Sequence, residues 1–123
     1  FVNENFAFYG KTLTGAQEVP ANTSTATGRG FGRFNPVTLK ASFTVTSNVV
    51  NPTASHIHTA APGVIGSVTV PFTQTSPGTW TSSPTASLTT TQGAAFAAGT
   101  MYYNVHSAAF PVGEVRGVAS GRE

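Results

Sequence analysis

Residues 37–46 read Val-Thr-Leu-Lys-Ala-Ser-Phe-Thr-Val-Thr. In an extended chain Leu39, Ala41, Phe43 and Val45 fall on one face, and Lys40, Ser42 and Thr44 on the other. A period of two, carried by β-branched and aromatic residues, marks a strand with one buried face. Runs of similar character lie at residues 6–14, 27–34, 55–58, 64–72, 78–82, 101–106 and 114–120. Between them stand Asn35-Pro36, Asn51-Pro52, Pro62-Gly63, Ser76-Pro77-Gly78 and Pro111-Val112-Gly113. These combine a preset φ with residues that tolerate tight bends. Only residues 91–98, Thr-Gln-Gly-Ala-Ala-Phe-Ala-Ala, suggest a helix, and Gly93 together with the stop at Gly99 limits it to one or two turns. About eight short strands with no long crossover helices predict an all-β, antiparallel two-sheet sandwich with Greek-key connections, of the immunoglobulin or superoxide-dismutase kind.

The 123 residues fit one domain, long enough to bury a core without disulfide or metal staples. Hydrophobic residues make up 39% of the chain, and nine Phe supply large apolar surfaces to that core. Only 8% of residues are charged. Six basic side chains against four acidic ones give a net charge of +2. The basic residues Lys11, Arg29, Arg33, Lys40, Arg116 and Arg122 are scattered, which excludes the clustered positive surface that nucleic acid requires. So little charge means weak self-repulsion and suits packing against copies of the same chain.

The chain has no Cys, which leaves neither disulfides nor thiolate chemistry. No apolar run approaches the 18 or so residues of a membrane-crossing helix, so no membrane span is expected. The start at Phe1, without Met, is the expected start of a secreted, extracellular protein whose signal peptide has been removed. Asn22-Thr23-Ser24 is an N-glycosylation sequon with Asn22 as acceptor.

Residues 1–9, Phe-Val-Asn-Glu-Asn-Phe-Ala-Phe-Tyr, put Val2, Phe6 and Phe8 on one face, interrupted by Glu4. One reading is an ordinary first strand. The other is a donor strand, in which Phe1, Val2, Phe6 and Phe8 form an arm that completes the sheet of a neighbouring copy. On this division residues 1–12 are the arm or first strand and residues 13–123 are the domain.

Three stretches carry recognisable patterns. Leu13-Thr14-Gly15-Ala16-Gln17-Glu18-Val19-Pro20 leads into a Thr/Ala/Gly-rich segment ending at Gly28. Ser55-His56-Ile57-His58-Thr59-Ala60 leads to Gly63 and Gly66. Tyr102-Tyr103-Asn104-Val105-His106-Ser107 is followed by Phe110-Pro111 and Gly113-Glu114-Val115-Arg116-Gly117. In this order and spacing they resemble the CHRD domain, named for the repeated domain of chordin and widespread in bacterial exported proteins. The resemblance runs from about Leu13 to the C-terminus and implies an extracellular CHRD-like β-sandwich over residues 13–123. It implies no general biochemical activity.

His56 and His58, two apart on a strand, point to the same side, and His106 ends a second predicted strand. Three converging imidazoles could hold one Zn or Cu ion, with Glu18 as fourth ligand. The competing reading is a set of neutral histidines hydrogen-bonded to backbone or to Glu18. The His-X-His strand is similar to the copper strand of copper/zinc superoxide dismutase, but three His and no Asp cannot supply a two-metal ligand set. Glu114 and Arg116 share a face of the last strand. With Glu18 they read as structural ion pairs, Glu18 to Arg116 closing the first strand onto the last.

No enzyme is expected and no catalytic residue is assigned. A glycosidase needs two carboxylates across a cleft, and of the four here Glu4 and Glu123 lie near the termini. Without Asp there is no Ser-His-Asp triad, and no Gly-x-Ser-x-Gly elbow occurs. Gly28-Arg29-Gly30-Phe31-Gly32 lacks the strand–loop–helix setting of a phosphate loop and predicts close backbone approach instead. Trp80 reads as core, while Trp80 with Tyr102-Tyr103 as a sugar-stacking surface is the alternative.

Three functions follow in order. The first is an extracellular structural subunit, a homopolymer of a filament or surface layer joined by N-terminal strand exchange. The second is a module that binds a glycan or an extracellular protein. The third is a mononuclear metal domain using the three His. No cofactor is required by the first two.

Overall fold

Phe43 and Val45 point into the interior, and Ser42 and Thr46 outward, on a strand spanning Ala41–Ser47. The start of the run read as strand is a turn instead. Asn35 Oδ1 accepts from the backbone N–H groups of Val37 and Thr38 at 2.8 and 3.1 Å, and Leu39 takes a left-handed φ of 65°. The Asn side chain here supplies the partners that a neighbouring strand would otherwise provide.

The structure, a computed structural model, describes residues 11–120. Its strands are β1 (Lys11–Thr14), β2 (Thr27–Phe34), β3 (Ala41–Ser47), β4 (Pro52–Thr59), β5 (Ser67–Ser76), β6 (Thr79–Ser82), β7 (Met101–Ser107) and β8 (Val115–Ala119). One helix, α1 (Thr90–Ala98), joins β6 to β7, and a 3-10 turn, Gly15–Gln17, follows β1. Phe1, Val2, Phe6 and Phe8, with the choice between arm and first strand, lie outside the described residues. No helix among the described residues is long and apolar enough to cross a membrane.

The strands form a closed barrel in the order β1-β2-β3-β6-β5-β4-β7-β8. This overturns the expected two-sheet sandwich. A sandwich needs breaks in the ladder between its sheets. Here the antiparallel ladder passes unbroken through β3–β6 and β4–β7, and returns to β1 where Thr14 sits opposite Arg116. The long connections β3 to β4 and β6 to β7 each skip two strands, which is Greek-key connectivity.

Glycine lets the wall curl this tightly. Gly28, Gly30 and Gly32 occupy the inward positions of β2, and the ring of Tyr103 lies against Gly30. A Cβ on Gly32 would stand 2.7 Å from both Phe43 Cδ1 and Tyr103 Oη. Two missing side chains, at Gly30 and Gly32, thus make room for the Tyr103 ring, while Gly28 lets the backbone of Thr46 and the side chain of Ser47 approach, in keeping with the close approach expected along this stretch. Phe43 packs edge-on against Phe96 of α1 and against Tyr103, with ring centroids 5.6 and 6.3 Å apart. Leu13, Ile57, Val105 and Val115 close the same interior, and Trp80 is buried in it as expected.

The helix falls where residues 91–98 predicted it, starting one residue earlier. Thr89 caps it: Gln92 N–H donates to Thr89 Oγ1, and Thr89 N–H donates back to Gln92 Oε1. It ends at Gly99, whose φ of 79° is left-handed.

Register in β4, β7 and β8 prepares the site. Ile57, Tyr103, Val105 and Val115 belong to the interior core. The residues between them therefore face outward. His56 is paired with Asn104, His58 with Tyr102, Ala54 with His106, and Asn104 with Arg116. Although this face lies outside the barrel, Tyr102, Asn104 and Arg116 are buried. They bond to the turn after β1 and to the loop after β4.

Candidate metal centre

The His-X-His spacing and the β4–β7 register bring His56, His58 and His106 together. Their ring centroids are 5.4 Å (His56–His58), 5.1 Å (His56–His106) and 5.9 Å (His58–His106) apart. Each offers one ring nitrogen, and these nitrogens all lie within 4.8 Å of one another. His58 is buried, while His56 and His106 are partly exposed.

Two of the rings are oriented by backbone carbonyls. His58 Nδ1 lies 2.9 Å from Gly66 O, and His106 Nδ1 lies 3.0 Å from Pro111 O. A carbonyl oxygen only accepts, so each Nδ1 carries the proton and, in the neutral ring, each Nε2 carries a bare lone pair. His58 Nε2, His106 Nε2 and His56 Nδ1 are buried and have no hydrogen-bond partner. A buried polar atom without a partner costs about 1–3 kcal/mol, and the bare Nε2 lone pairs of His58 and His106 beside the unpartnered His56 Nδ1 call for a group that bonds to lone pairs. Among the described residues the other such atom is Trp80 Nε1, a lone donor within the core.

The electrostatics favour neutral rings at His56 and His58. Burial, then the neighbouring His106 and His58, push His56 down to about 4 from an ordinary 6.5. Burial also lowers His58, and the His106 and Arg116 charges add to this against the opposing Gly66 bond. Neutral imidazole is the form that coordinates Zn or Cu, and a second ring nitrogen tied to a carbonyl is the usual support of a metal-ligating His. Nitrogens sharing one ion at about 2.0–2.1 Å would be drawn closer than they stand here, a movement within the reach of side-chain rotation.

Behind His58 the ring of Tyr102 is stacked at 4.8 Å and 5°. The Arg116 guanidinium carbon lies 3.5 Å from the Tyr102 centroid. Gly66 N–H donates to Tyr102 Oη at 3.1 Å, so one residue ties the Tyr hydroxyl and the His58 ring together.

The carboxylates are placed elsewhere. Glu18 is not among the three clustered residues. Its Oε2 accepts from Asn104 Nδ2 at 2.5 Å, and Asn104 also donates to Val115 O. Burial raises the Glu18 pKa, opposed by the Asn104 bond and the Arg116 charge. Glu114 Oε1 and Oε2 accept from the hydroxyls of Ser107 and Ser24, both at 2.6 Å. Arg116 donates to Ala61 O at 3.1 Å. Glu18, Glu114 and Arg116 thus pin the first and last segments, with Asn104, two Ser hydroxyls and a carbonyl as their hydrogen-bond partners. Asn22 Nδ2, the sequon nitrogen, donates to the carbonyls of Gly113 and Glu114, and a glycan there would leave it a single hydrogen to donate.

Sequence reasoning passed over Asn104 and the pairing of Tyr102 with His58. The alternation of residues 102, 104 and 106 could have found both, since it sets them on the face of His106.

A family model, that of the CHRD domain, matches residues 9–118, nearly the whole chain. No curated protein and no solved structure matches it.

Proposed function

The chain belongs to the CHRD domain family, and on that footing we propose that it is an extracellular module holding one transition-metal ion between His56, His58 and His106. CHRD domains occur in extracellular and exported proteins, which supports the location. One observation carries the metal: the three imidazoles meet with one nitrogen of each within 4.8 Å of the others, each ring has a buried nitrogen without a hydrogen-bond partner, and two of the rings are oriented through the opposite nitrogen by backbone carbonyls. An all-imidazole set suits zinc and copper, with copper(II) bound more tightly in the usual order of affinities. We read the ion as held for its own sake or for stability, with no turnover.

The test is metal analysis of untagged protein after exposure to zinc or copper. One ion per chain, lost in His58→Ala, supports the reading. A chain that retains no ion after desalting removes it.

A second reading, contact with copies of itself or with another extracellular protein, draws support from exposed aliphatic side chains. Val50, Val64, Ile65 and Val112 are 74%, 52%, 68% and 82% exposed. Light scattering separates a monomer from an assembly.

A further inference from the structure

Three imidazoles do not complete the sphere of a tetrahedral ion, and the surroundings say what would complete it. A ligating imidazole is neutral, and the protons on His58 Nδ1 and His106 Nδ1 are committed to Gly66 O and Pro111 O. The ligand set therefore contributes no negative charge. Among the described residues no carboxylate joins the three nitrogens. Glu18 is bonded to Asn104, and Glu114 to Ser24 and Ser107. An ion bound here keeps its full double charge. The charge that acts on His58 from behind has the same sign: Arg116 stacks on Tyr102, which stacks on His58. The three unpartnered nitrogens are themselves buried, but the rings of His56 and His106 are partly exposed, and a small ligand would reach the ion between them.

We propose that the ion takes its fourth ligand from solution, and that this ligand is a small monodentate anion. The inference rests on the metal reading above and deepens it. A divalent charge surrounded by neutral donors, with a guanidinium behind one of them, attracts an anion more strongly than it holds water. Chloride, azide and a simple carboxylate share the required chemistry of one charge and one donor atom.

The experiment uses the full chain loaded with one equivalent of copper(II), with bound copper measured first. Azide is then titrated while the absorption and the electron paramagnetic resonance of the copper are followed. The expected result is a saturable new charge-transfer band and a shifted resonance, both reversed by dialysis and unchanged in Glu4→Gln and Glu123→Gln. By linkage, azide should tighten copper binding by the same factor by which copper tightens azide. Failure to bind stoichiometric copper would overturn both readings at once. Copper bound but unmoved by azide would overturn this one alone. So would a response that emerges only in Glu4→Gln or Glu123→Gln, since the chain would then supply its own fourth ligand.

Discussion

The ring of Tyr102 lies parallel to that of His58, with 4.8 Å between centroids and 5° between planes. Because its other face carries Arg116 and its hydroxyl is held by Gly66, Tyr102 fixes the plane of the imidazole without being a ligand. Residues that orient metal-ligating His change metal affinity by about 10–100-fold when replaced. Tyr102→Ala should weaken zinc or copper by a factor in that range. Tyr102→Phe keeps the stack and loses only the Gly66 bond, so it should weaken binding less. A chelator competition measures both, and thermal unfolding of the metal-free variants separates lost orientation from lost fold.

Zinc should stabilise the protein. A ligand bound only by the folded state, at a hundred times its dissociation constant, adds about 2.7 kcal/mol. Thermal unfolding with and without zinc should show that gain in the native chain and none in His58→Ala. An unchanged midpoint in the native chain would count against the centre.

The metal-free protein should lose stability in acid in a defined window. His56 falls from 6.5 to about 4 on folding, and His58 moves the same way. The unfolded chain therefore binds more protons, and stability drops as pH falls from about 6.5 towards 4. Below the folded value this group contributes no further loss. Glu18 works in the opposite sense: its raised pKa makes the folded state the better proton binder, so its ionisation opposes folding above that value and acid relieves it. The unfolding midpoint of the native chain should fall more steeply from pH 6.5 to about 4 than that of His56→Gln, which lacks this titration; equal slopes would contradict the assignment.

Gly30→Ala should be costly because its Cβ would meet the Tyr103 ring. Forcing an extra methyl into a packed interior costs about 1–3 kcal/mol. Gly63 is the useful comparison. It has open space but a φ of 84°, so Gly63→Ala should show only the left-handed penalty of about 1–2 kcal/mol. Urea unfolding distinguishes the two, and a neutral Gly30→Ala would remove the account of the tight wall.

Ser107→Ala removes a hydroxyl that donates to a buried carboxylate at 2.6 Å. Hydrogen bonds to charged groups contribute about 1.5–3 kcal/mol, so stability should fall by an amount in that range. Ser24→Ala, at the more open end of Glu114, should fall by less. Equal losses in a denaturant titration would contradict this ranking.

The strands and the histidine cluster were legible where the information is local. Phe43 and Val45 alternate as buried residues, and the spacing of His56 and His58 alone sets both on one face. Leu39 failed because Asn35, four residues earlier, captures the backbone before a strand can form. The start of the helix could have been read from Thr89 and Gln92, three apart. Closure into a barrel was not readable. Alternation is the same in a barrel and a sandwich, and the difference rests on Thr14 meeting Arg116 and on Tyr103 filling the place of the side chains missing at Gly30 and Gly32, contacts between residues far apart in the chain. The hydrogen-bond partners of the carboxylates, Asn104, Ser24 and Ser107, were hidden for the same reason.

Strand β7 is covered on both sides: Tyr103 and Val105 fill the interior, while Tyr102, Asn104 and His106 face the imidazole cluster. It is a party wall, and a shift on one side cannot stay private to that side. Swelling or emptying the space around Phe43 would tilt the wall and change how the imidazoles meet, so grip on an ion would report how well the distant aromatic rings are seated.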